Sequence, residues 1–116
     1  MKQQTMTPSE LRSHVTEKEF MAHVIRLAQM YGWMSFHAHD SRHSAPGFPD
    51  LVLLKPTTEK HSGRLVFIEL KTERGKLTPE QASWLNALKM AGQEVYVWRP
   101  KDWQLIEATL RRRENH

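Results

Sequence analysis

The sequence predicts one α/β domain with the element order α-β-β-β-α-β-α, and three observations carry that expectation. Apolar residues at helical spacing open the patterned part of the chain, two apolar strand-like runs fill its middle, and two capped helical segments flank a further strand. The length of 116 residues suits a single core and leaves little for a second one, so residues 1–116 are read as one domain. Hydrophobic residues at 39% and charged residues at 26% suit a folded chain rather than a disordered one.

Taken in order, residues 1–14 are polar without an apolar period and are expected to form a flexible arm. "TEKEFMAHVIRLAQMYGW" then sets Phe20, Val24, Leu27, Ala28 and Tyr31 on one helical stripe, with Thr16 as N-cap and Gly32 as stop. "WMSFHAH" alternates as a short strand, and "DSRHSAPGFP" is a loop. "DLVLL" and "GRLVFIELK" read as buried strands at the centre of the sheet, joined by a polar connection that permits a hairpin. "LTPEQASWLNALKMAG" has Thr78 as N-cap, Pro79 in the first turn, Gln81 at the capping-box position and Gly92 beyond the end. "EVYVWRP" is a strand, and "KDWQLIEATLRRR" a last helix whose arginines sit at its negative dipole end. Trp84, Trp98 and Trp103 fall at apolar positions and are assigned to the core or a subunit interface.

Composition also excludes chemistry. Without cysteine there are no disulfides, thiolate zinc sites or thiol nucleophiles, so any metal must be held by oxygen or histidine. No apolar run approaches the ~20 residues of a bilayer span, and the N-terminus lacks the apolar centre of a signal peptide, so a cytoplasmic protein without membrane contact is expected. A formal charge of +4 and a pI near 9.6 favour polyanionic partners.

The chemistry gathers around the two central strands. Strand alternation puts Glu69 and Lys71 on one face, and antiparallel pairing brings Asp50, at the start of the first strand, to the end of the second. Counting ~100° per residue along the first helix places Glu17 within the apolar stripe and Glu19 near the opposite side. A carboxylate on the buried side is costly unless a positive group meets it, and Glu17, Asp50 and Glu69 have only Lys71 among them. Oxygen donors of this kind prefer Mg²⁺ or Mn²⁺. The same residues also read as a solvated ion pair, a turn aspartate after Pro49 and a helix N-terminal acid.

"PD", positions 51–68, then "ELK" is similar to the signature of the restriction-endonuclease-like nucleases. "TEKEF", "DSRHSAPGFPDLVLLKP" and "FIELKTERGKLTPEQASWLNALKMAGQEVYVWRP", in this order, resemble the VRR-NUC family, the virus-type replication-repair nucleases, over about Thr16 to Trp103. The resemblance implies a restriction-endonuclease-like fold, a central mixed sheet flanked by helices. It implies Asp50 and Glu69 as metal ligands, Lys71 as the catalytic lysine, Glu17 as the helix-one ligand and the Leu70 main-chain carbonyl facing the metal. Gln81 matches the glutamine that positions the lysine or a phosphate. Where many relatives have a second glutamine in the first helix, this chain has Met21.

The expected activity is Mg²⁺- or Mn²⁺-dependent hydrolysis of DNA phosphodiesters, with Lys71 orienting the attacking water or stabilising charge on the phosphate. The resemblance further implies a homodimeric, structure-specific endonuclease acting on branched DNA of the Holliday-junction type. A flap or restriction-type nuclease would share the active site, and a non-catalytic binding module would not need the acids. Ser41, Arg42, His43 and Ser44 before the first motif, and Arg74, Gly75 and Lys76 after the second, offer donors for phosphate contacts. His37, His39, His43 and Asp40 are chemically able zinc ligands, but a lone H-x-H is an unspecific pattern.

Overall fold

A computed structural model describes residues 14–37 and 45–115, the side chains of Glu114 and Asn115 excepted. Helix α1 (Glu17–Met30) starts where the Thr16 hydroxyl accepts the Glu19 N–H at 3.1 Å. It ends at Tyr31, beyond which Gly32 takes φ +88°. Phe20, Val24 and Ala28 form its buried stripe, and Leu27 and Tyr31 pack beside them half-buried.

Strands β1 (Met34–His37), β2 (Leu51–Lys55) and β4 (Arg64–Leu70) come next, with the two-residue β3 (His61–Ser62) set in the β2–β4 connection. Helix α2 (Pro79–Met90) carries the expected capping box, and β5 (Glu94–Trp98) leads through a 3₁₀ turn (Pro100–Asp102) into α3 (Trp103–Arg111). A two-residue β6 (Glu114–Asn115) then pairs with β3. The expected order is therefore present, with β3 and β6 added. Their pairing joins segments far apart in sequence, and two residues are too few to show a strand period.

The main sheet runs β1-β2-β4-β5, antiparallel except for the parallel β4–β5 pair, so the two motif strands are central as expected. Leu51, Leu53, Val66 and Ile68 are fully buried on one face, against Val24 and Ala28 of α1 and Ile106 and Leu110 of α3. Each such side chain contributes about 1.5–3 kcal/mol when removed from water. Trp33 closes this core, its indole N–H donating to the Leu110 carbonyl at 2.9 Å. On the other face, Trp84 of α2 meets Phe48 edge-on, and Phe48 meets Phe67 of β4 likewise. Trp98 is buried, while Trp84 and Trp103 are half-buried.

Candidate active site

Asp50 enters through a constrained turn. Gly47 has φ +86°, and a Cβ there would stand 2.5 Å from the Glu80 carbonyl carbon, so only glycine lets the GFPD turn lie against the start of α2. The β2–β4 register sets Leu51 opposite Ile68, which carries Asp50 to the end of β4. There its Oδ2 accepts the Leu70 N–H at 3.0 Å. Leu70 is buried between Glu69 and Lys71, and the Lys71 N–H donates to the Trp98 carbonyl at 3.0 Å, tying the motif to the parallel neighbour β5.

One carboxylate oxygen from each of Glu17, Asp50 and Glu69 lies within 4.8 Å of the other two. Lys71 Nζ stands 3.7 Å from Glu69 Oε2. Glu69 is 0% exposed, and both of its carboxylate oxygens lack a hydrogen-bond partner. Burial, then the negative charge of Asp50, pushes its carboxyl up to about 8, against the pull of Lys71. Two carboxylates can share a hydrogen bond only when one holds a proton, so the ionised pair leaves Glu69 without a partner. The Glu17 carboxyl is raised as well, first by partial desolvation, then by the charge of Asp50, with Lys71 opposing.

Helical counting expected Glu17 on the buried side, but the residue is exposed. It is the first residue of α1, where the stripe runs out, and its carboxylate still reaches the other two acids. Glu19 does not join that group. The donor set suits a hard divalent cation, because every ligand atom is a carboxylate oxygen and the two buried oxygens of Glu69 have no hydrogen-bond partner.

Gln81 follows Glu80, against which the GFPD turn lies, and belongs to the capping box, where its Oε1 accepts the Thr78 N–H at 2.9 Å. Arg74 and Lys76 are exposed on the loop after β4. Ser41, Arg42, His43 and Ser44 lie outside the described residues, as do His39 and Asp40. His37, at the end of β1, is the one member of the histidine cluster among the described residues.

Two arginines escaped the sequence reading. Arg99 Nη1 donates to the carbonyls of Thr72 and Gly75, each at 2.6 Å, and so fixes the loop that bears Arg74. Arg64 is buried, paired with Glu94, and donates to the Thr109 and Arg112 carbonyls. Burial alone would raise the Glu94 carboxyl, yet its hydrogen bonds and charge contacts with Arg64, Tyr96 and Arg112 hold it below the usual range. No local pattern marks either arginine, since each finds its partners through tertiary folding.

The architecture is that of a mixed α/β domain with helices on both sheet faces, and comparison with known proteins supplies its family. The family model described as "VRR-NUC domain" matches residues 4–102, so the chain belongs to the VRR-NUC family, a nuclease-type domain. A solved structure described as "VRR_NUC domain" is similar at TM-score 0.63 and 23% identity, covering 78% of this chain and 94% of its own. Another, described as "VRR_NUC domain protein", gives TM-score 0.57 and 20% identity, covering 83% and 86%. None of the curated proteins compared matches the chain.

Proposed function

We propose that this domain is a metal-dependent, structure-specific DNA endonuclease that works as a homodimer on branched DNA such as a four-way junction. The observation that carries the reading is the meeting of the Glu17, Asp50 and Glu69 carboxylates beside the Lys71 ammonium, in a chain of the VRR-NUC family.

Glu17, Asp50 and Glu69, with the main-chain carbonyl of Leu70, would hold Mg²⁺ or Mn²⁺. When bound, the cation supplies charge neutralisation for the phosphodiester and a more acidic water. The Leu70 N–H keeps Asp50 oriented through its Oδ2. Glu69, protonated toward neutral pH by its surroundings, must give up that proton to act as a ligand. Lys71 donates from Nζ to the attacking water or to a non-bridging phosphate oxygen as charge develops. Gln81 donates to the phosphate, while Arg74 and Lys76, together with Ser41, Arg42 and Ser44, contact the backbone without reading sequence.

Labelled four-way junction, flap, nicked and linear duplexes incubated with the protein and Mg²⁺ or Mn²⁺ test the reading. Preferential cutting of the junction is expected, and equal cutting of all four would reject structure specificity. Preferential cutting of the flap would move the assignment to a flap nuclease. Asp50→Asn and Lys71→Ala should each lower cleavage at least about a hundredfold while DNA binding stays measurable. Full activity in either variant would remove its residue from the site.

A further inference from the structure

At the end of the sheet away from the acids, a cavity of about 300 Å³ is lined by Tyr31, Lys55, Thr58, His61, Arg64 and Arg113 among others. Asp50 precedes β2 and Lys55 ends it, so at a rise of ~3.3 Å per residue the two sites stand roughly 16 Å apart. Among the described residues, none that lines the cavity is acidic.

The three cations differ in what answers them. Arg64 is committed to Glu94 and to two carbonyls. Lys55 and Arg113 have no carboxylate within ion-pair distance among the described residues. Lys55 Nζ and Arg64 Cζ stand 5.5 and 5.0 Å from the centroid of the same Trp33 ring, so the indole draws both charges to one place. Burial, then the charges of Arg113 and Arg64, holds the Lys55 ammonium below its ordinary value. His61 Nδ1 is buried without a hydrogen-bond partner, although the His61 backbone N–H is fixed by the Thr58 hydroxyl at 3.1 Å.

Two crowded cations without a counter-charge among the described residues, with an unpartnered imidazole nitrogen in the same cavity wall, lower their mutual repulsion by taking an anion. The cavity exceeds the bulk of a bare inorganic oxyanion, and the Tyr31 side chain on its wall can lie beside a sugar or base carried by one. We propose that this cavity binds a phosphate ester, with Lys55 and Arg113 as its charged contacts and His61 as a further donor. No residue of the acidic site takes part, so the cavity stands or falls separately from the nuclease assignment.

Two sources share this chemistry, a free nucleotide and the backbone of bound DNA. Titrating the protein with a deoxynucleoside monophosphate, against chloride at matched ionic strength, should give saturable shifts of the Ser62 and Gly63 amide resonances. Lys55→Gln with Arg113→Gln should weaken that binding at least tenfold, whereas Asp50→Asn should leave it unchanged. The single Arg113→Gln change, at an exposed residue, gives a weaker form of the same effect should the double variant lose its fold. Shifts that match those of chloride, or equal binding by the variants, would overturn the proposal. Duplex DNA separates the sources. A slope of log K against log salt that falls by about two in the double variant assigns the cavity to the backbone. An unchanged slope with lost nucleotide binding assigns it to free phosphate esters.

Discussion

Gln81 has two ends with different duties. Its Oε1 must face the Thr78 N–H, since only an oxygen can accept that hydrogen bond, which leaves the amide nitrogen, a donor, for any ligand. An ammonium cannot accept from it, so a contact to phosphate is chemically open and a hydrogen bond to Lys71 through this nitrogen is not. Gln81→Glu keeps the capping acceptor and removes the donor. Thermal stability within about 0.5 kcal/mol of the parent, with cleavage down about tenfold, is expected, and unchanged cleavage would confine Gln81 to the cap. Glu69 makes a separate prediction through pH. Its folded value of about 8 lies above the ordinary 4.5, so the folded state holds the extra proton across that window. In metal-free protein this contribution is complete below pH 4.5 and is lost as pH rises toward 8. Melting temperatures measured between those limits should fall more steeply for the parent than for Glu69→Gln, and Mg²⁺ should restore the parent most at the alkaline end. Parallel curves would mean that the carboxyl is not held protonated.

At the scale of elements, the site depends on how a turn meets a helix. The GFPD turn lies on the first residues of α2, and Gly47 permits that approach through both its positive φ and its missing side chain. Gly47→Ala should therefore cost about 2–4 kcal/mol, from backbone strain together with the displaced contact to Glu80. Urea unfolding measures this, and a loss below about 1 kcal/mol would show that the turn yields easily. The α3 end shows the converse. The arginine run reads as a helix-terminal charge cluster, yet its members separate: Arg111 faces Glu107 at 4.0 Å, Arg112 offers its carbonyl to Arg64, and Arg113 lines the cavity beside Lys55. One helical end thus serves a surface pair, a buried arginine and a cavity.

Across the whole molecule, the helices cover the sheet unequally. Facing pairs in the register put Met34, Leu54 and Leu65 in a row across β1, β2 and β4, with Phe36 beside them opposite Val52. Met34, Leu54, Leu65 and Phe36 are 60%, 43%, 42% and 66% exposed, an apolar strip that α2 does not reach. This strip supports the proposed homodimer. Sedimentation at micromolar concentration should give a dimer, and Phe36→Glu with Leu65→Glu should shift it to monomer with little change in fold. A parent that stays monomeric would remove the dimer from the proposed function.

Element order, the helix caps at Thr16 and Thr78, and the placing of Asp50, Glu69 and Lys71 were legible in the chain, because capping, periodicity and strand alternation are local rules. The sequence also singled out Glu17 over Glu19, although it placed Glu17 on a buried face that begins only at Phe20. Tertiary structure alone decided what depends on contacts between distant segments. Arg99 on the loop of residues 72–75, Arg64 against Glu94, the β3–β6 pair and the cationic cavity each join chain segments that no local pattern links. The physical reason is one of range: side-chain spacing fixes which residues share a face, while packing of the elements fixes which faces meet.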